Sequence, residues 1–183
     1  MFFKTQRDFR DWLAENHDTS TEIWVGFWKK ASGNTGMNYD ESVDEALCFG
    51  WIDGRANSYD ERSYMQRFTP RRAKSVWSRV NTHKVERLIK EKKMMPPGLI
   101  AVNLAKEDGR WKKAYDSPAN AKVPADFLDE LRKNKAAFEF FKTLNKSNIY
   151  HVAYQLQNAK KEVTRIRRMK TMIEKLARRE KFH

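Results

Sequence analysis

The sequence predicts an α+β fold: a small antiparallel sheet of about three strands packed with helices, followed by an all-helical C-terminal subdomain. Two observations predict the sheet. Ile23, Val25 and Phe27 alternate with Trp24 and Trp28, a strand apolar on both faces, and residues 52–59 and 63–69 read as a β-hairpin around Asp60-Glu61. A third predicts the helical part: from Pro124 onward every apolar run has helical spacing.

The elements follow in order. A helix is expected over 5–16, where Phe9, Trp12 and Leu13 fall at i, i+3 and i+4 among charges. After the first strand, SGNTGMNY is a loop with glycines at 33 and 36. Asp40 is a good N-cap for the helix ESVDEALCFGW, whose Glu41, Asp44 and Glu45 suit its positive end, and Gly50 stops it. Pro70 ends the hairpin, since proline has no N–H for the ladder. A helix is expected over about 74–93, stopped by Pro96-Pro97, and a shorter one over about 98–107, ending near Gly109. Residues 110–123, with Pro118, read as a loop or linker between a 1–110 core domain and a 120–183 helical subdomain. In that subdomain ADFLDELRKN, AAFEFFKTLN and SNIYHVAYQLQNAKK are short helices and KEVTRIRRMKTMIEKLARREK a longer one.

Charge is placed unevenly along the 183 residues. The net +13 comes from two segments: 62–93, with eleven Lys/Arg against two acids, and 160–181, with ten against three. Segment 40–61 is the reverse, with seven acids and only Arg55. Such patterning points to an anionic partner, whether nucleic acid, a membrane surface or an acidic protein, or to a solvated surface. Phe2 and Phe3 are followed at once by charges, so no signal peptide is expected, and no apolar run is long enough for a membrane span. Cys48 is the only cysteine, so no internal disulfide can form. A reducing cytoplasm is the expected location.

Two stretches resemble a known family. They are YDESVDEALCFGWIDGR with RFTPRRAKSVWSRVN, residues 39–55 and 67–81, and AKKEVTRIRRMKTMIEKLARREK, residues 159–181. Together they resemble the YdeI/OmpD-associated, bacteriocin-protection family, from about Trp24 to Lys181. The chain departs from the family pattern at Glu162 and Val163, where Pro-Glu is common, and at Arg178-Arg179, where a Gly commonly closes the last helix. The resemblance implies a protective role and association with a porin, but no particular reaction. A periplasmic role fits poorly with the absent signal peptide.

Among the candidate sites, Asp53 with Arg67, Arg71, Arg72, Trp77 and Asn81 comes first. Strand alternation places Asp53, Arg55 and Asn57 on one face, with Arg67 at a corresponding height on the neighbouring strand. Arg67 can then chelate Asp53, leaving Arg71 or Arg72 for an external anion; the same groups also suit a purely structural ion pair. Phe49, Trp51, Phe68 and Trp77 bracket them, either as stacking surfaces or as core. Cys48 precedes a helix C-terminus, which disfavours a thiolate, so it is expected buried and inert. His17, His83, His151 and His183 are scattered singly, so no metal site is expected. SGNTG lacks the endings of a P-loop or dinucleotide motif, and no cofactor is expected. In the last helix Val163, Ile166, Met169, Ile173 and Leu176 form an apolar stripe expected to pack inward, leaving Arg165, Arg167, Arg168 and Lys170 as a polyanion-binding face.

Three functions remain: a binding module for nucleic acid or another polyanion, a cytoplasmic protection protein working through a protein partner, and a small-anion sensor or enzyme built on Asp53, Arg67, Arg71, Trp77 and Asn81. No acid–base pair or nucleophile dyad is identifiable, so catalysis ranks last.

Overall fold

The computed structural model describes residues 1–116, 122–159 and 161–182. They form two compact units: Met1–Trp77 with Asn81–Ala114, and Ser78–Val80 with Tyr115–His183. Of the expected linker, Trp111 packs against Trp77 in unit 1, with ring centroids 4.9 Å apart. Residues 117–121, including Pro118, lie outside the described residues, as do Lys160 and His183.

Unit 1 is α+β. Helix α1 (Gln6–Asn16) starts at a capping box in which Thr5 accepts from the Asp8 N–H and Asp8 accepts from the Thr5 N–H. Strand β1 (Ile23–Trp28) follows, then α2 (Tyr39–Cys48), β2 (Trp51–Ser58) and β3 (Ser63–Pro70). The cap of α2 is Asn38, not Asp40: Asn38 closes a reciprocal box with Glu41, and that places Asp40 inside the first turn. The three strands form one antiparallel sheet in the order β1-β3-β2. Phe9, Leu13, Val25, Phe27, Leu47, Trp51 and Phe68 form its core with α1 and α2.

Helix α3 (Arg79–Lys90) begins five residues later than the apolar spacing suggests. The Val76 carbonyl accepts from Arg71 Nη2 at 2.7 Å and the Ser75 carbonyl from Arg110 Nη1 at 2.7 Å. These side chains take carbonyls that a helix would bond four residues on, so Trp77 sits in a loop. Helix α4 (Pro96–Glu107) completes the unit, with prolines in its first turn, where a missing N–H costs nothing.

Unit 2 contains α5 (Ala125–Arg132), α6 (Lys135–Lys142), α7 (Lys146–Gln157) and α8 (Glu162–Ala177). Phe127, Leu131, Ala137, Val152, Leu156, Met172 and Leu176 are its buried core. Asn134 and Asn145 cap α6 and α7 through the N–H groups of Ala137 and Asn148.

Candidate functional site

Unit 1 carries a cleft of about 390 Å³, and three groups of its lining residues carry its chemistry. The first is one face of α4, where Pro97, Ile100, Ala101 and Leu104 recur at i, i+3, i+4 and i+7. That face is apolar yet open: Ile100 is 60% and Leu104 46% exposed. Two glycines let α4 approach the α2–β2 turn. Gly50 has φ +74°, a conformation L side chains resist, and a Cβ at Gly98 would fall 2.2 Å from the Cys48 carbonyl oxygen.

The second group is Pro70, Arg71, Arg72 and Ala73, leaving β3, and the third is Trp77 with Arg110. The Arg71 guanidinium lies 3.6 Å from the centre of the buried Trp77 ring, a cation–π stack. Arg110 is held by Asp108 Oδ2 at 2.6 Å as well as by the Ser75 carbonyl. Arg72 is exposed and, among the described residues, makes no ion pair. His17, Asp18 and the 49–51 turn complete the lining, in which Asp18 is the one carboxylate and Arg110 is already paired with Asp108.

The structure thus brings together Arg71, Arg72 and Trp77 of the six residues singled out by sequence, and separates the rest. Asp53 pairs with Phe68 in the ladder, and Arg67 pairs with Trp24. Adjacent residues of a strand point to opposite faces, so Arg67 stands across the sheet from Asp53 and the expected chelate does not form. Arg67 instead meets Glu22 at 2.6 Å, and Asp53 accepts from the Tyr39 hydroxyl at 2.7 Å. A register shift between Asp53 and Ala56 also breaks the alternation, so that Asn57, opposite Met65, does not share the face of Asp53. Asn81 lies in α3 and does not line the cleft. Burial first, then the Asp53 carboxylate, pushes the Tyr39 hydroxyl well above the usual phenol range, so it stays a donor.

These pairings give a direct expectation. A double-mutant cycle on Asp53→Asn and Arg67→Gln should be additive to within about 0.5 kcal/mol. Arg67→Gln with Glu22→Gln should couple by about 0.2–1 kcal/mol, the range of an exposed pair. Urea titration of the single and double variants measures both, and a coupling between 53 and 67 above that between 22 and 67 would contradict the register.

Sequence reasoning missed Arg110 and the α4 face. Arg110 lay in an apparent linker, and its signal was the neighbouring Trp111, too large a ring for a solvated connection. Cys48 is buried, and burial first, then the Glu45 carboxylate, pushes its thiol up to about 11; it is protonated at neutral pH. Among the described residues no cluster of three or more His, Cys, Asp or Glu can hold a metal ion, and no helix is long and apolar enough to cross a membrane.

The basic segments behave differently in the two units. In unit 1 the acids of α2 meet the cations of α3: Asp44 binds Lys84 at 2.9 Å and also Arg87, and Asp40 reaches Lys84 at 3.2 Å. Glu91 binds Lys93 at 2.8 Å. The acidic 40–61 and basic 62–93 segments thus partly neutralise each other. In unit 2, Arg165 chelates Asp126 and Arg168 donates to the Gln155 carbonyl at 2.7 Å, so these two of the four expected polyanion ligands are tied inward. Arg167 and Lys170 are exposed and, among the described residues, have no ion-pair partner.

The expected stripe holds in the second half of α8 and fails in the first: Leu176 is buried and Met169 and Ile173 pack against the unit 2 core, whereas at the start of the helix Arg165 and Arg168 take the inward positions. Val163 and Ile166 are therefore left 79% and 56% exposed, on a face shared with Arg167 and Lys170.

Fold and surface together define an α+β protein with a strongly basic, helical second unit. The chain belongs to the family of a domain of unknown function, DUF8412, whose family model matches residues 1–101. Residues 120–179 match a second family model, described as "Bacteriocin-protection, YdeI or OmpD-Associated", the family the sequence resembles. The 159–181 stretch lies within this second match except for its last two residues, and the Trp-rich 39–55 and 67–81 stretches lie within the first. No curated protein and no solved structure matches the chain.

Proposed function

We propose that the chain is a non-enzymatic cytoplasmic binding module that takes a polyanion, nucleic acid in the first instance, on the exposed basic face of α8. The observation that carries this reading is the unequal neutralisation of charge. Unit 1 holds 20 Lys/Arg against 16 acids, a net +4, and unit 2 holds 17 against 8, a net +9 on fewer residues. In unit 1 Lys84 and Arg87 are turned onto the acids of α2, and in unit 2 Lys161, Arg167, Lys170, Arg179 and Lys181 are exposed without ion-pair partners among the described residues. Backbone phosphates suit such a face because counterion release needs only cations spaced along a surface. The match of 120–179 to a bacteriocin-protection family supports a protective role for the same unit.

Fluorescence anisotropy with unrelated duplexes at several salt concentrations tests it. The logarithm of the binding constant should fall with log salt by about 0.9 per phosphate neutralised. Replacing Arg167 and Lys170 by Gln should lower that slope by about 2, while Lys84→Gln with Arg87→Gln leaves it unchanged. Absence of binding at low salt, or a slope indifferent to Arg167 and Lys170, would count against the reading.

An acidic protein partner is the second reading, favoured by the exposure of Val163 and Ile166 beside the two cations. Phosphates gain nothing from these side chains, whereas a protein interface buries them. Val163→Ser with Ile166→Ser should leave duplex affinity intact and weaken a protein complex.

A further inference from the structure

We infer that the cleft between α4 and the β3–α3 connection is a binding site for a small organic anion with an apolar body: an aromatic or short-chain carboxylate, sulfonate or phosphate monoester. This is independent of the polyanion reading, since all its lining residues belong to unit 1.

Two chemistries meet in the cleft. One wall is the α4 face of Pro97, Ile100 and Leu104, which a folded protein exposes at a cost unless something covers it. The other presents three arginines, of which Arg110 is paired with Asp108, and one lining carboxylate, Asp18. Arg71 is fixed by its stack on Trp77 and its bond to Val76, and Arg110 by Asp108 and Ser75. These two guanidiniums are already ordered, so binding need not order them again. Arg72, exposed and without an ion-pair partner among the described residues, supplies a third cation within the lining that can meet the charged head.

A volume of about 390 Å³ suits a small metabolite. Inorganic phosphate alone would leave the α4 face uncovered, and a neutral hydrocarbon would leave Arg72 without a counter-charge among the described residues. Only a molecule carrying both parts uses both walls.

Isothermal titration calorimetry of the full chain tests this with three probes: naphthalene-1-sulfonate, inorganic sulfate and neutral 1-naphthalenemethanol. The sulfonate should bind once per chain and at least about tenfold more tightly than either other probe. Arg72→Gln and Ile100→Glu are changes at exposed positions that leave the fold intact, and each should weaken sulfonate binding by about tenfold or more. Arg167→Gln should leave it unchanged, which separates this site from the face of α8. Equal affinity for sulfate would reduce the cleft to a simple anion patch and overturn the inference. So would equal affinity for the neutral alcohol, no binding of the sulfonate, or sulfonate binding indifferent to Arg72 and Ile100.

Discussion

Replacing Trp51 by alanine should destabilise unit 1 by about 3–5 kcal/mol, the usual cost of truncating a buried large aromatic. Trp51 is buried at the start of β2, directly after the Gly50 turn that ends α2. Its ring stands edge-on to Trp12, with centroids 5.9 Å apart, and its Nε1 donates to the His17 carbonyl at 3.1 Å. Removing it opens a cavity where α1, α2 and the sheet meet and leaves that carbonyl short of a donor. All six tryptophans lie in unit 1, so intrinsic fluorescence during a denaturant titration reports this unit without interference from the other. Trp51→Phe, which keeps most of the ring volume, should lose much less. A Trp51→Ala midpoint within a few tenths of a kcal/mol of the parent would place the ring outside the core.

The Arg10–Glu45 pair should prove nearly as costly to break. Glu45 is only 3% exposed, and its carboxylate accepts from Gln6 Nε2 and Arg10 Nη1, each at 2.6 Å. Arg10 also donates to the Lys93 carbonyl at 2.9 Å and lies 5.5 Å from the centre of the Phe49 ring, so it ties α1 to α2 and to the α3–α4 connection. Arg10→Met leaves a buried carboxylate with one neutral donor, and the expected loss is about 3–5 kcal/mol. Converting Glu45 to Gln in that background removes the unpaired charge and should recover part of the loss. A double variant as unstable as the sum of the two single ones would mean that the charges do not depend on each other.

Much of the fold was legible because its signals are local. Thr5 caps a helix whose apolar spacing is unambiguous, Pro70 closes the hairpin, and the 23–28 alternation is a strand. What sequence could not show depended on distant groups. The register of β2 on β3 turns on a bulge between Asp53 and Ala56, and one residue decides whether Arg67 faces Asp53 or Glu22. The loop holding Trp77 is set by Arg71 and Arg110, the latter more than thirty residues away. The first half of α8 departs from the apolar pattern because Arg165 and Arg168, charged residues, dock inward on Asp126 and Gln155, while Met169, Ile173 and Leu176 follow it. The acidic and basic segments were visible as runs, but their mutual neutralisation needed α2 and α3 side by side. The cleft was half legible, through Arg71, Arg72 and Trp77, since its apolar wall reads in sequence like any core-facing helix.

The most direct test of the polyanion account is an amide chemical-shift titration of the full chain with a short DNA duplex at low salt. The account predicts shifts concentrated on α8 around Arg167 and Lys170, declining as salt is added, with Lys84 and Arg87 undisturbed because Asp44 holds them. Shifts centred on α3, or none at low salt, would contradict it.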